Sequence, residues 1–173
     1  MVMASRLGEL SRPKNPELPQ PLNEFYLNHA KLLCSSYRHW MGCDLVEARD
    51  SAEELLRDLF YGNFALLSHG TGNDPIFNFG NQVALNLFEF SWEELTNLPS
   101  RKSAEAVNRE QRAKLLDQVT AKGFISDYSG VRISATGKRF FVENAVVWNL
   151  LDDSGLYRGQ AACFESWKYV TDK

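Results

Sequence analysis

Residues 68–105, SHGTGNDPIFNFGNQVALNLFEFSWEELTNLPSRKSAE, constrain the fold more than any other stretch of the chain. The apolar run at residues 64–69 reads as a short buried strand. Gly70, Gly72, Asn73 and the Asp74-Pro75 pair then supply the backbone freedom and the fixed φ that a reversal needs. Ile76, Phe77 and Phe79 make the return strand. Asn81 is placed to cap a helix whose inner residues are Val83, Ala84, Leu87 and Phe88. Ser91 and Glu94 form a capping box for a second, with Phe90 and Leu95 at the two positions of a hydrophobic staple, and Pro99 ends it. A hairpin followed at once by short capped helices sends those helices back over the strands.

The rest of the chain completes the same plan. Asn108 and Gln111 are placed to start the longest core helix, with Val107, Arg112, Leu115, Leu116 and Val119 on one side and Gly123 at its end. Residues 124–134, 138–151 and 156–167 are β-type runs joined by Thr136-Gly137 and by Asp152-Asp153-Ser154-Gly155, which makes an antiparallel meander. With the hairpin, five strands are available. The expected class is α+β, a five-stranded antiparallel sheet with helices over one face.

Two helices precede this core. Leu22, Phe25, Tyr26, His29, Leu33, Tyr37 and Trp40 recur at three- and four-residue steps, giving one apolar stripe that stops near Gly42. Ser51 and Glu54 cap a shorter helix with Leu55, Leu56, Leu59 and Phe60 on its inner side, and Gly62 stops it. They are expected to cap the sheet or to mate with a second copy as a homodimer. Residues 1–21 read as a tail, because Pro13, Pro16, Pro19 and Pro21 interrupt both helix and strand. The division is therefore a tail at 1–21, a helical cap at 22–62, a core at 63–167 and a short C-terminal tail at 168–173.

Composition excludes some functions. The 173 residues are 44% hydrophobic and 12% aromatic with a formal charge of -3, so a packed core is available and a phosphate-gripping basic face is not. Nucleic-acid binding by this chain alone is not expected. The three cysteines, Cys34, Cys43 and Cys163, form no CxxC. Reduced thiols in a cytoplasmic protein are the expectation, and no run approaches the roughly 18 apolar residues of a membrane span. His29, His39 and His69 are not at metal-ligand spacing with one another or with a cysteine. No G-x-S-x-G, P-loop or G-x-G-x-x-G occurs, so no catalytic residues are assigned and the chain is not expected to be an enzyme.

Polar residues inside the β region are the candidate site. If the strand at 138–151 alternates throughout, Phe140, Val142, Asn144, Val146, Trp148 and Leu150 share one face. Asn144 is then the lone polar group on an apolar face, and a buried amide without partners costs about 1–3 kcal/mol. Gln160 lies on the next strand between Arg158 and Ala162, with Phe164 beyond. Asn144 and Gln160 either bond each other, nearby backbone or water, or hold a small polar ligand. Arg101 in LPSRKSAE offers a donor fork to a carboxylate or phosphate, or pairs with Glu105 at the surface; Ser103 could cap the next helix or contact ligand. Phe79, Leu87, Trp148 and Phe164 are the expected apolar walls.

These blocks together resemble the MEKHLA domain family, which is similar to PAS domains. The resemblance rests on SHGTGNDPIFNFGN, LPSRKSAE, NREQRAKLL, GFISDYSGVRISATGKRFFVENAVVWNLLDDSG and YRGQAA, and spans about residues 22–167. That family occurs as free-standing bacterial or algal proteins and at the C-terminus of plant homeodomain–leucine zipper regulators. The MEKHLA hexapeptide itself is absent here, and so are the homeodomain, zipper and START regions, so a transcriptional role does not carry over. What the resemblance implies is a sensory or small-molecule-binding domain with an unidentified ligand. Flavin photoreceptors of the PAS class use a cysteine over the flavin and haem sensors a core-helix histidine. Residues 81–122 hold no Cys and residues 108–122 no His, so neither cofactor is favoured and the cofactor stays unknown. The alternative is an interaction or dimerisation module with a filled core.

Overall fold

The computed structural model describes Leu18 and residues 23–171. The proline-rich segment at 1–21 therefore lies, apart from Leu18, outside the described residues, as does Leu22. The element order is α1 (Glu24–Met41), α2 (Ala52–Phe60), β1 (Ala65–His69), β2 (Phe77–Gly80), α3 (Gln82–Phe88), α4 (Trp92–Leu95), a 3-10 turn (Ser100–Ser103), α5 (Ala106–Lys122), β3 (Phe124–Ile133), β4 (Arg139–Leu151), β5 (Tyr157–Phe164) and β6 (Ser166–Tyr169). The sheet runs in the order β2-β1-β5-β4-β3, with β6 paired to β4.

Six strands replace the five expected because the last run bends. β5 pairs with β4 over Val146 to Leu151, and β6 resumes on the same β4 over Phe140 to Glu143. A break at Glu165 between them turns one predicted strand into two. It also carries the sheet through Lys168 and Tyr169, which the sequence had left to a C-terminal tail.

Local capping explains the helices. Asn23, Ser51, Asn81 and Ser91 each accept a backbone N–H three residues on, so each helix start is written in its own sequence. Asn81 does more than cap. Its Oδ1 also accepts from Leu66 N at 3.0 Å and its Nδ2 donates to Phe64 O at 2.7 Å, riveting α3 to β1. α5 instead begins at Ala106 with Glu105 as an N-cap that makes no side-chain bond, earlier than Asn108 or Gln111.

The sheet is covered on both faces. α3, α4, the 3-10 turn and α5 close one face, the inner one. α1 lies on the other: its Ser36 Oγ donates to Leu151 O, its Trp40 Nε1 donates to Asn149 O at 3.0 Å, and its Tyr37 ring meets Trp148 edge-on at 5.0 Å. The buried residues of α1 are His29, Ala30, Leu33 and Ser36, so α1 caps the chain's own sheet, one of the two arrangements expected of it.

Candidate functional site

One β-bulge decides what faces the inner side. Asn144 has φ 52, in the left-handed region, and its N–H donates to Ser129 Oγ at 3.2 Å. The β3–β4 register slips there, with Gly130 opposite Val142 and Tyr128 opposite Ala145. An extra residue in one strand inverts the alternation beyond it. Phe140 and Val142 face inward before the bulge, and Ala145, Val147 and Asn149 face inward after it. Asn144 is exposed. It is not the buried amide of the site, and Trp148, now in the opposite phase, packs under α1 instead of lining the cavity.

The amide partner of Gln160 is Asn149. The two are opposite each other in the β4–β5 register, and Gln160 Nε2 donates to Asn149 Oδ1 at 3.1 Å. His69 is opposite Gln160 on the other side. A polar row, His69–Gln160–Asn149, thus crosses three neighbouring strands. Asn149 Nδ2 donates to Val119 O and Thr120 O at the end of α5, and Gln160 Nε2 also reaches Leu116 O and Thr120 Oγ1. These bonds hold α5 over the sheet.

Beneath α5 is a cavity of about 60 Å³. Its apolar walls are Leu67 and Phe77 from the hairpin, Phe88 from α3, Leu116 from α5, and Val142, Ala145, Val147, Ala161, Ala162 and Phe164 from the meander. Its polar lining is Ser68, His69, Ser103, Arg112, Tyr128, Arg132 and Gln160. Of the residues expected at the site, Gln160, Ser103 and Phe164 meet here. Leu87 is buried, but its neighbour Phe88 forms the wall. Phe79 does not line the cavity; its ring lies 6.0 Å from His29 of α1 and 5.6 Å from Trp92 of α4. Arg101 is on the surface, where its Nε donates to Asp74 Oδ1 at 3.0 Å; Glu105 faces Arg139 instead. Ser103 Oγ donates to Ser100 O at 2.7 Å rather than capping α5.

The cavity's cations were not anticipated. Arg132 is 8% exposed; one guanidinium N–H donates to Val131 O at 2.7 Å, and the group lies 5.0 Å from the centre of the Tyr128 ring. Arg112 enters from α5. Burial lowers the pKa of Arg132 to about 9, with the Arg112 charge adding to it, and burial alone lowers Arg112 to about 10. Both therefore stay charged at neutral pH. Among the described residues neither has a carboxylate partner. A buried charge without one costs on the order of several kcal/mol even after relaxation. The sequence held a signal for Arg112, which occupies the apolar stripe with Leu115, Leu116 and Val119 where a cation is out of place.

His69 adds an open acceptor. Its Nδ1 lies 2.8 Å from Gly70 O, which can only accept, so the ring proton is on Nδ1. Nε2 is buried with no partner. Burial pulls the pKa below the ordinary imidazole value, the Gly70 carbonyl and the neighbouring Gln160 side chain oppose this, and the Arg112 charge adds to the lowering. A wider groove of about 610 Å³ between α5 and β3 shares Arg112, Tyr128 and Arg132 with the cavity, so these three side chains stand between the interior and the outside.

A five-position antiparallel sheet in the order β2-β1-β5-β4-β3, with short helices over its inner face, is a PAS-like fold. Solved structures agree on the fold. A PAS domain from Colwellia psychrerythraea superposes with a TM-score of 0.57 at 12% identity, covering 69% of this chain and 96% of that one. An RNA-binding light-oxygen-voltage receptor gives a TM-score of 0.58 at 13% identity, covering 69% of this chain and 34% of that one.

The chain belongs to the MEKHLA domain family, whose domain matches residues 27–169. It is 29% identical over 142 residues to the homeobox-leucine zipper protein HOX9 of Oryza sativa subsp. indica, an alignment covering 82% of this chain and 17% of that protein. The homeobox-leucine zipper protein ATHB-14 of Arabidopsis thaliana is 26% identical over 170 residues, covering 96% of this chain and 19% of that protein. The chain thus spans less than a fifth of the length of these curated relatives.

Proposed function

We propose that this chain is a sensory module of the PAS type that binds a small molecule in the cavity beneath α5 and acts by recognition, not by bond-making. The observation that carries this reading is Arg132, a buried cation without a carboxylate partner among the described residues, turned onto a cavity with apolar walls. Pockets for drug-sized ligands measure roughly 300–1,000 Å³. At about 60 Å³ this one takes a few heavy atoms, and a flavin ring system does not fit its geometry.

A recognition role is supported by the chemistry at hand. Ser103 Oγ is committed to Ser100 O. Burial, then the Glu165 charge, pushes the Cys163 thiol up to about 12, which leaves a poor nucleophile. No helix among the described residues is long and apolar enough to cross a membrane, and a cytoplasmic setting is part of the proposal. With α1 on its own sheet, a ligand signal would pass from the polar row through Asn149 O to Trp40 and so to α1.

The small volume also favours a second reading, an interaction module whose core is nearly filled. Native mass spectrometry of protein purified from its source, with a thermal-shift screen against fractionated metabolite extracts, separates the two. A co-purifying small molecule, or a fraction that raises Tm saturably, is the expected result. No bound mass and no stabilising fraction would leave the interaction reading.

A further inference from the structure

Arg132 and Arg112 present donors to one space from two elements, β3 and α5. Among the described residues, the bond from Arg132 to Val131 O is the one hydrogen bond the pair makes. A guanidinium is a planar fork suited to two oxygens of a carboxylate, and a carboxylate between the two would neutralise charges that now repel. Beyond them the walls are mainly apolar, with Leu67, Phe88, Val142 and Val147, and the donors of Ser68, Ser103 and Gln160 are already spent within the protein. The far polar feature is His69 Nε2, which accepts and cannot donate in the neutral ring.

We infer that the cavity is a site for a short-chain carboxylate, its oxygens on Arg112 and Arg132, its carbon chain among the apolar walls, and a hydroxyl, where present, donating to His69 Nε2. This rests on the reading that the cavity takes a small molecule, and it names the class. Inorganic phosphate fits worse, because its oxygens point in all directions and the walls would meet some of them with carbon. The approach is through the outer groove, whose mouth carries Lys114 and Lys122 alongside one carboxylate, Asp127. The ligand passes Tyr128 and reaches the arginines from outside.

The test is a thermal-shift and calorimetric titration of ligand-free protein with acetate, glycolate, acetamide and inorganic phosphate at constant ionic strength. Acetate and glycolate are expected to raise Tm saturably, glycolate more; acetamide, matched in shape and uncharged, and phosphate are not. Arg112→Gln, at a half-buried helix position, is expected to weaken acetate binding at least tenfold while the protein stays folded. Arg132→Met should abolish the shift without lowering the Tm of probe-free protein, since it removes an unpaired buried charge. His69→Leu should erase the preference for glycolate over acetate. Equal shifts with acetamide, or an unchanged acetate response in Arg112→Gln, would overturn the carboxylate assignment while an extract-derived ligand could still stabilise the protein. Failure of every probe and every extract fraction would overturn the binding reading as well.

Discussion

Gln160 and Asn149, directly opposite on β5 and β4, share a 3.1 Å hydrogen bond that ties a residue lining the cavity to one that anchors α5. Asn149 is the junction of the molecule. Its side chain holds the last turn of α5, its N–H donates to Gly123 O at 2.8 Å, and its carbonyl accepts Trp40 Nε1 from the opposite face.

Asn149→Ala deletes the side-chain part of this junction. Thr120 O loses its amide donor and Val119 O keeps Gly123 N–H, while Gln160 Nε2 keeps Leu116 O and Thr120 Oγ1. A buried group stripped of its partner costs about 1–3 kcal/mol, so the expected loss is about 1–2 kcal/mol in urea unfolding. Hydrogen exchange in the last turn of α5 should rise with it. A loss below about 0.5 kcal/mol would mean that α5 is held by other contacts.

Asn144 behaves oppositely to a buried polar residue. Were it an orphan amide, Asn144→Leu would stabilise. At φ 52 on an exposed bulge, Leu instead takes up a left-handed conformation that costs about 1–2 kcal/mol outside Gly and Asn. Asn144→Leu is thus expected to destabilise by about 1 kcal/mol, and Asn144→Gly to be neutral within about 0.5 kcal/mol. Stabilisation by Leu would sink the bulge account.

What was legible in the sequence was local. The caps at Ser51, Asn81 and Ser91 and the Asp74-Pro75 reversal carry their geometry in a few adjacent residues, so the hairpin, α2, α3 and α4 could be placed. The bulge could not. It depends on Ser129 and Gly130 of the facing strand, and one unseen insertion moved Trp148 to the far face and replaced Asn144 by Asn149 as Gln160's partner. Gln160 and Phe164 survived because β5 alternates without interruption through that region, and Ser103 because the 3-10 turn at residues 100–103 brings it to the cavity. Arg132 stayed hidden because a cation on a sheet that alternates polar and apolar residues reads as solvent-facing until another element covers it.

His29 gives the protein an acid-sensitive limb. It lies on α1 at 4% exposure, its Nε2 is 2.8 Å from Ser68 Oγ of β1, and Ser68 passes its own hydrogen to Asn78 Oδ1. Burial lowers the pKa from 6.5 to about 4. Between those values the unfolded chain binds a proton that the folded one does not, so stability is full above pH 6.5 and falls as pH drops toward 4. At about 1.4 kcal/mol per unit this amounts to about 2–3 kcal/mol between pH 7 and 4.5. His69, also lowered, acts in the same direction. Glu89 is held near 2, since bonds from Thr136, Ser134 and Lys138 outweigh the upward push of its burial, and so titrates below this window. Urea unfolding of His29→Gln at pH 7 and 4.5 should show a shallower loss than wild type. An unchanged pH slope would remove His29 from the account.

Gly159 is fixed by the approach of two backbones. Its φ is 129, and a Cβ built there falls on the His69 carbonyl, within 3.3 Å of Gly70 Cα as well. Neither obstacle is a side chain that can swing away. A strained φ costs about 1–3 kcal/mol and forced overpacking a similar amount, so Gly159→Ala is expected to lose about 4 kcal/mol. The displacement starts at His69, directly opposite Gln160 in the polar row, so β1 should part from β5 at the cavity end first. Hydrogen exchange should then rise at His69 and Gln160 before it rises at Ala65 and Phe164 at the other end of the pair. Uniform loosening along both strands, or a loss under about 1 kcal/mol, would show that the strands can separate at Gly159 without strain.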